Sequence, residues 1–354
     1  MGRKVKIYAV SDIHGCKRDF TSALMRAGFQ PNSPNHLLVS CGDNFDRGFE
    51  NLEIYAYLKS IKNKILIKGN HEEMLVKALE RSYIDHTDVH NGTDVTVEEL
   101  LGGGWMDPYG RITVPKSAKQ EIYDFVNTMY DYLETDKHVF VHGWTAEAVN
   151  HSENWRRAPM EDWQESRWIE WQRIYPNHPR VEGKTVVCGH RSASLAANFD
   201  MKRSGADFGP FYGDGITVLD GTTYKTHKVN VYVTEDELPD YNTYAEALTE
   251  EEYNAVSKGK TTVLVRLRKE QYLDIKQGDT LTVTCTENEA LPALKATVTG
   301  VYDYPDIDKL RRSHKAETYG MPAVKQEIEA RLNEKLGNDN IEKLGITAIR
   351  FSFL

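Results

Sequence analysis

The sequence predicts a layered α/β fold followed by a smaller β-rich domain. Three observations carry this prediction. Short apolar strands alternate with helical stretches through the first two thirds of the chain. Most of these strands end at once in a polar cluster beside a glycine. The composition then turns polar and acidic near Thr234–Asn242, before strand patterns resume. In such alternating folds, functional groups gather at the carboxyl ends of the strands. A length of 354 residues suits one large domain plus a smaller one, read here as 1–235, a linker over 236–244, and 245–354.

The elements follow in order. Lys6–Ser11 is a buried strand and Asp12–Gly15 a turn. Arg18–Gly28 has helical spacing, with Phe20, Leu24 and Ala27 on one face. His36–Cys41 and Lys64–Ile67 are strands, and Leu52–Ile61 and His71–Arg81 are helices. Asp85–Gly110 reads as loop-rich, reaching over the strand ends, with three successive glycines at Gly102–Gly104. Ala118–Leu133 is helical, Lys137–Val141 and Thr185–Cys188 are strands, and Gly215–Asp220 and Val229–Val233 close the domain. Beyond the linker, Leu248–Lys258 and Pro322–Leu336 are helices. Thr261–Leu267, Ile275–Thr284, Ala296–Tyr302 and Ile346–Phe353 are strands.

Composition excludes several classes. The 40% hydrophobic content is enough for real cores, so the chain is not disordered. With 44 basic and 53 acidic residues the net charge is −9, which argues against nucleic-acid binding by overall charge. Cys16, Cys41, Cys188 and Cys285 stand far apart, which excludes a disulfide scaffold or zinc knuckle and suits a cytoplasmic location. No apolar stretch has membrane-spanning length and no signal peptide is visible, so no membrane partner is expected.

The strand ends carry the chemistry: Asp12 and His14, Asp43, Asn70 and His71, His142, and His190. Carboxylates, imidazoles and a carboxamide converging on one edge form a mixed O/N donor set. It suits two borderline divalent ions such as Mn²⁺, Fe²⁺ or Zn²⁺, and suits Ca²⁺ poorly. One carboxylate can bridge two ions about 3.5–4 Å apart. His86 and His90 read as solvated loop residues, and Cys16, Cys41 and Cys188 beside the motifs as small buried residues or as oxidation-sensitive groups near the site.

In full, the strings are Ser11-Asp12-Ile13-His14-Gly15, Gly42-Asp43-Asn44-Phe45-Asp46-Arg47-Gly48, Gly69-Asn70-His71-Glu72, Val141-His142-Gly143 and Cys188-Gly189-His190. Together they resemble the calcineurin-like metallophosphoesterases, and within them the phosphoprotein phosphatase family of bacterial and phage type. The ordered match covers residues 7 to about 233. The resemblance implies a β-sandwich flanked by helices and two divalent metal ions, manganese foremost, with iron or zinc as alternatives. It implies Asp12 and His14 on the first metal, Asp43 bridging, and Asn70, His142 and His190 on the second. It also implies a metal-bridging hydroxide as nucleophile, His71 as general acid oriented by Asp46, and Arg47 gripping phosphate. Arg173, in Trp171-Gln172-Arg173, takes the place of a second phosphate arginine, with Arg167 the alternative.

The implied function is hydrolysis of phosphoric monoesters, foremost as a serine/threonine-type protein phosphatase. A nucleotide or RNA phosphatase, including a diadenosine tetraphosphate hydrolase, is the alternative. A non-enzymatic phosphatase-fold scaffold is disfavoured because every ligand position is filled. Five tryptophans fall between His142 and His190, with Trp163, Arg167 and Trp171 placed on one helical face. They read as a packing stripe, or as an aromatic platform for a base or peptide side chain.

Residues 245–354 resemble an ASCH domain of the PUA-like superfamily, a small β-barrel often linked with RNA. The strings are Lys258-Gly259, Thr261–Arg268 and Ile275-Lys276-Gln277-Gly278-Asp279, then Thr297–Tyr302. Gly259 and Arg266 keep the family pattern, whereas Thr261 and Leu264 replace its lysine and glutamate. Arg266, Arg268, Lys269, Arg311, Arg312 and Lys315 are the residues through which RNA contact is weighed against scattered solvated charge.

Overall fold

The computed structural model describes residues 3–151, 154–177, 180–321 and 324–353. It forms two compact units. One comprises Met1–Ala148 and Gln164–Asp240, the other Val149–Trp163 and Tyr241–Leu354. The second unit therefore contains a short segment from the middle of the first.

Two sheets build the first unit. Strands β1 (Lys4–Val10), β2 (His36–Ser40) and β3 (Lys64–Leu66) run parallel in one sheet. In the other, β4 (Leu133–Glu134), β5 (His138–Phe140), β6 (Arg180–Val181), β7 (Lys184–Cys188), β8 (Phe211–Gly213) and β9 (Ile216–Val218) combine, with β5, β7 and β9 parallel. Strand β10 (Tyr232–Glu237) returns antiparallel to β1.

Side-chain alternation divides the two cores. Ile7, Ala9, Leu37 and Val39 pack with Phe140, Val187 and Leu219 from the other sheet. Their neighbours Tyr8, Val10 and Leu38 face the helices instead. These are α1 (Lys17–Arg26), α2 (Asn51–Ser60), α3 (Asn70–Arg81), α4 (His86–Asn91), α5 (Thr93–Leu101) and α6 (Lys116–Asn127). Phe20, Leu24, Ile54, Leu58, Leu75, Leu79, Ile122 and Phe125 supply their apolar faces.

Several expectations are corrected. Asp85–Gly110 is not loop-rich, since it contains α4 and α5. Capping builds these helices rather than strong periodicity. The Asp85 carboxylate accepts from the Thr87 and Asp88 amides, Asp88 reciprocates, and Gly92 ends α4 with a left-handed φ of 83°. The helix expected over Ala118–Leu133 ends at Asn127, and Leu133 opens β4. The last strand of the unit begins at Tyr232 rather than Val229. The tryptophan stripe breaks apart because its helix stops at Ser166 and a second one spans only Trp171–Ile174. Trp155 and Trp163 pack edge to face, whereas Trp171 stacks on Phe211.

The second unit is a five-stranded sheet in the order β11 (Thr243–Leu248), β13 (Thr280–Cys285), β14 (Leu294–Tyr304), β15 (Ile346–Ser352), β12 (Val263–Leu267). Among the described residues its end strands are not paired with each other, so the expected barrel is an open half-barrel. Strand β13 starts at Thr280, not Ile275, because Lys276–Asp279 forms a turn closed on the Asp279 carboxylate. The expected helix Pro322–Leu336 is found as Lys325–Leu336, and its first two residues lie outside the described ones. Arg157, from the inserted segment, is held by Asp303, by the Ile275 carbonyl and by Thr347. No helix among the described residues is long and apolar enough to cross a membrane.

Candidate metal centre

Each of the six parallel strands of the first unit delivers a polar group just past its carboxyl end. β1 leads to Asp12 and His14, β2 to Asp43, β3 to Asn70 and His71, β5 to His142, β7 to His190 and β9 to Asp220. The backbone is bent sharply there. Asp12, His14, Asp43, Asp46, Arg47 and His190 all have positive φ, between 49° and 72°. Such a conformation costs about 1–3 kcal/mol per residue and persists only where the surroundings impose it. Glycines make the close approaches. At Gly42, with φ of 91°, a Cβ would lie 2.7 Å from the Gly69 Cα and 2.8 Å from His142 Nδ1.

Two ligand groups meet at one carboxylate. His14, Asp43 and His71 form one, and Asp43, His142 and His190 the other. Asp43 Oδ2 lies 3.9 Å from His14 Nε2, 3.8 Å from His71 Nε2 and 3.3 Å from His142 Nε2. Asp12 Oδ1 lies 3.8 Å from His14 Nε2. Asn70 Oδ1 joins the second group, 2.9 Å from His142 Nε2 and 3.0 Å from His190 Nδ1. The outer nitrogens of two rings are tied down, His14 Nδ1 to the Phe45 carbonyl at 3.0 Å and His142 Nδ1 to the Cys41 carbonyl at 2.7 Å. These bonds place a proton on Nδ1 and turn Nε2 inward, the atom through which metal-binding imidazoles coordinate.

His71 is held differently. Its Nδ1 lies 2.7 Å from Asp46 Oδ2. That carboxylate also accepts from Thr93 at 2.7 Å and Thr96 at 2.5 Å. The segment expected to be loop thus orients the imidazole through its carboxylate partner. Glu72 pins the two central loops together, accepting from the Asp43, Asn44 and Gly69 amides and from the Asn44 side chain.

Charge is crowded in this centre. Burial, then the Asp220 carboxylate, pushes Asp12 well above the ordinary range, and burial raises Asp220 to about 6. Burial opposes ionisation of Asp43, but the His142 and His71 imidazoles overcome it and hold that carboxyl well below the usual range. Burial likewise opposes charge on His142, and Asp43 outweighs it to hold the ring at about 9. Burial and His71 depress His14, and burial and His142 push His190 down to about 3. His14 and His190 are thereby kept in the neutral form that divalent cations take up, and a cation would displace the proton that Asp43 holds on His142. The residues present therefore fit a pair of such ions.

The arginines separate. The Arg47 guanidinium reaches the centre, with Nη1 3.0 Å from His14 Nε2. Arg173 does not, because its side chain is 77% exposed and paired with Glu170 at 2.7 Å. Arg167 is buried and engaged by Glu73 and Asp131. His86 and His90 are exposed on α4.

Sequence reasoning assigned no role to Asp220, Tyr224, Thr93 or Thr96. Asp220 had a usable signal, an acid beside a glycine at a strand end. The others are brought in only by tertiary folding.

A family model for calcineurin-like phosphoesterases matches residues 5–214, more than half of the chain. The chain belongs to that family. Among its relatives is serine/threonine-protein phosphatase 2 of Salmonella typhimurium, 43% identical over 122 residues, which cover 34% of this chain and 47% of that protein. Another is the symmetrical bis(5'-nucleosyl)-tetraphosphatase of Buchnera aphidicola subsp. Schizaphis graminum, 37% identical over 73 residues, which cover 20% of this chain and 26% of its relative. The chain thus spans about half of the first relative and about a quarter of the second. Of solved structures, the cold-active protein-tyrosine phosphatase of a psychrophilic Shewanella is 14% identical, with a TM-score of 0.40, over 66% of this chain and 80% of that one.

Proposed function

We propose that the chain is a two-metal phosphoric monoester hydrolase, foremost of the phosphoserine/phosphothreonine type. The observation that carries this reading is the Asp43 carboxylate shared by two ligand groups, beside a His71 ring whose Nδ1 is held by Asp46. Asp12, His14 and Asp43 would hold one ion, and Asp43, Asn70, His142 and His190 the other, with Mn²⁺ the favoured metal and iron or zinc the alternatives. When bound, such a pair activates water for in-line attack and draws charge from the phosphate oxygens. His71 donates a proton to the departing ester oxygen, with Asp46 holding its ring in place. Arg47 binds the phosphate through its planar guanidinium. Arg173 has no part in this reading because of its surface placement. The catalytic domain, expected over 1–235, corresponds to the first unit, and the accessory domain, expected over 245–354 and here joined by Val149–Trp163, is of ASCH/PUA-like type, recruiting the target or contacting RNA.

The nucleotide reading has one observation in its favour. Trp168 is 49% exposed and its ring meets His190 edge to face at 5.9 Å, offering an aromatic face beside the centre. A competition assay separates the two. Mn²⁺-loaded protein meets equal concentrations of a phosphothreonine peptide, diadenosine tetraphosphate and a 3′-phosphorylated RNA oligomer, with Asp43→Asn as the inactive control. First consumption of the peptide supports the protein-phosphatase reading. Preference for either nucleotide substrate overturns it, and turnover by Asp43→Asn at the wild-type rate overturns the metal assignment.

A further inference from the structure

We propose that Tyr224 is a positioning residue for Arg47, acting through the face of its ring. This inference deepens the reading above and rests on Arg47 as the phosphate-binding arginine. Tyr224 lies in the short helix Thr223–Thr226, past the end of β9 and outside every motif string. The Arg47 guanidinium carbon sits 4.9 Å from the centroid of its ring, within cation–π range. The same ring meets the His14 imidazole edge to face at 5.6 Å. Its position is set by a rigid turn. The Asp220 carboxylate accepts from the Thr222 amide at 2.6 Å, and Thr222 takes a left-handed φ of 54°.

Arg47 needs such a support. Its backbone is itself left-handed, with φ of 68°, and its guanidinium, which meets His14 Nε2 through Nη1 alone, has no carboxylate ion pair among the described residues. A carboxylate beside that guanidinium would compete with phosphate for its N–H donors. An aromatic face attracts the cation through its quadrupole and leaves the donor edge free. Tyr224 therefore holds Arg47 in place without using up the groups that bind phosphate. The hydroxyl has no part in this role, so phenylalanine should replace tyrosine.

The test reads inorganic phosphate binding to Mn²⁺-loaded protein by calorimetry, alongside manganese content, melting temperature and turnover of p-nitrophenyl phosphate. Tyr224→Leu should weaken phosphate binding about 2- to 30-fold, the range expected for a cation–π contact. KM should rise more than kcat falls, and Tyr224→Phe should restore binding. In an Arg47→Ala background, Tyr224→Leu should have no further effect. Trifluorophenylalanine at 224 keeps the ring's shape but removes its negative face. It should behave like leucine, and it serves even where Tyr224→Leu fails to fold.

The inference is overturned by unchanged phosphate binding in Tyr224→Leu, by an equal loss in the Arg47→Ala background, by lost manganese, or by trifluorophenylalanine behaving as phenylalanine does. Wild-type turnover without this coupling sinks only the Tyr224 inference. Coupling in a protein that turns over no phosphoester sinks only the proposed function.

Discussion

Replacing Glu72 with glutamine should loosen the metal centre while changing almost no shape. The Glu72 carboxylate accepts four hydrogen bonds. Oε1 takes the Asn44 amide at 2.8 Å and the Asn44 side chain at 3.0 Å, and Oε2 takes the Asp43 amide at 3.0 Å and the Gly69 amide at 2.8 Å. Whichever way a glutamine sits, its NH₂ faces two donors and accepts from neither. A buried donor left without an acceptor costs about 1–3 kcal/mol, so two cost about 2–6 kcal/mol. That cost falls on the link between the Asp43 loop and the start of α3. The first effect is local opening there, about 30-fold or more above wild type at the lower bound. Mn²⁺ affinity should drop by about 10- to 100-fold, as when outer-shell partners of metal ligands are removed. Hydrogen exchange at the Asp43, Asn44 and Gly69 amides measures the first effect, and calorimetric Mn²⁺ titration the second. Exchange within about threefold of wild type together with unchanged Mn²⁺ affinity would refute the reasoning.

Other predictions follow from the same geometry. His71→Asn should retain both metals yet slow hydrolysis of a phosphothreonine peptide by about 10²–10⁴-fold, with a smaller loss on p-nitrophenyl phosphate, whose leaving group needs little protonation. Equal losses on the two substrates would remove the proton-donor role. Arg157→Ala removes the bidentate partner of the Asp303 carboxylate and the donor to two backbone carbonyls, leaving Asp303 with Arg268 at 3.2 Å and the Thr347 hydroxyl at 2.8 Å. It should destabilise the second unit by about 2–4 kcal/mol in urea unfolding, somewhat below the cost of breaking a fully buried pair. Asp236 bears on acid stability. Burial raises its pKa, but hydrogen bonds from Thr135 and His138 outweigh this and hold it below 3.8. A depressed carboxyl stabilises the fold above its unfolded value and loses that contribution as pH falls through its folded value. Asp236→Asn should therefore be less stable than wild type at pH 6, and the gap should close only as pH falls below the ordinary aspartate range. A gap that persists there would show that the loss is steric.

The donors that the structure brings together, and the His71–Asp46 contact, were legible in the sequence because each lies within a few residues of the end of an apolar strand, in short strings where spacing and residue type coincide. The alternation of strands and helices was legible for the same reason, since period and punctuation are local. Helices α4 and α5 were not, because they rest on Asp85 and Gly92 capping and on Thr93 and Thr96 meeting Asp46 almost fifty residues earlier in the chain. Arg173 shows the reverse error. A local string placed it at the site, and packing put its side chain in solvent.

By itself, then, the sequence determined which strand ends carry donors and in what order, because hydrophobic periodicity and glycine placement act within a few residues. Only the tertiary structure decided that Thr93 and Thr96 hold Asp46, that Tyr224 lies against Arg47, and that Val149–Trp163 groups with the second unit through Arg157. Those contacts join residues far apart in the chain, and no local pattern encodes which distant partner a buried charge will meet.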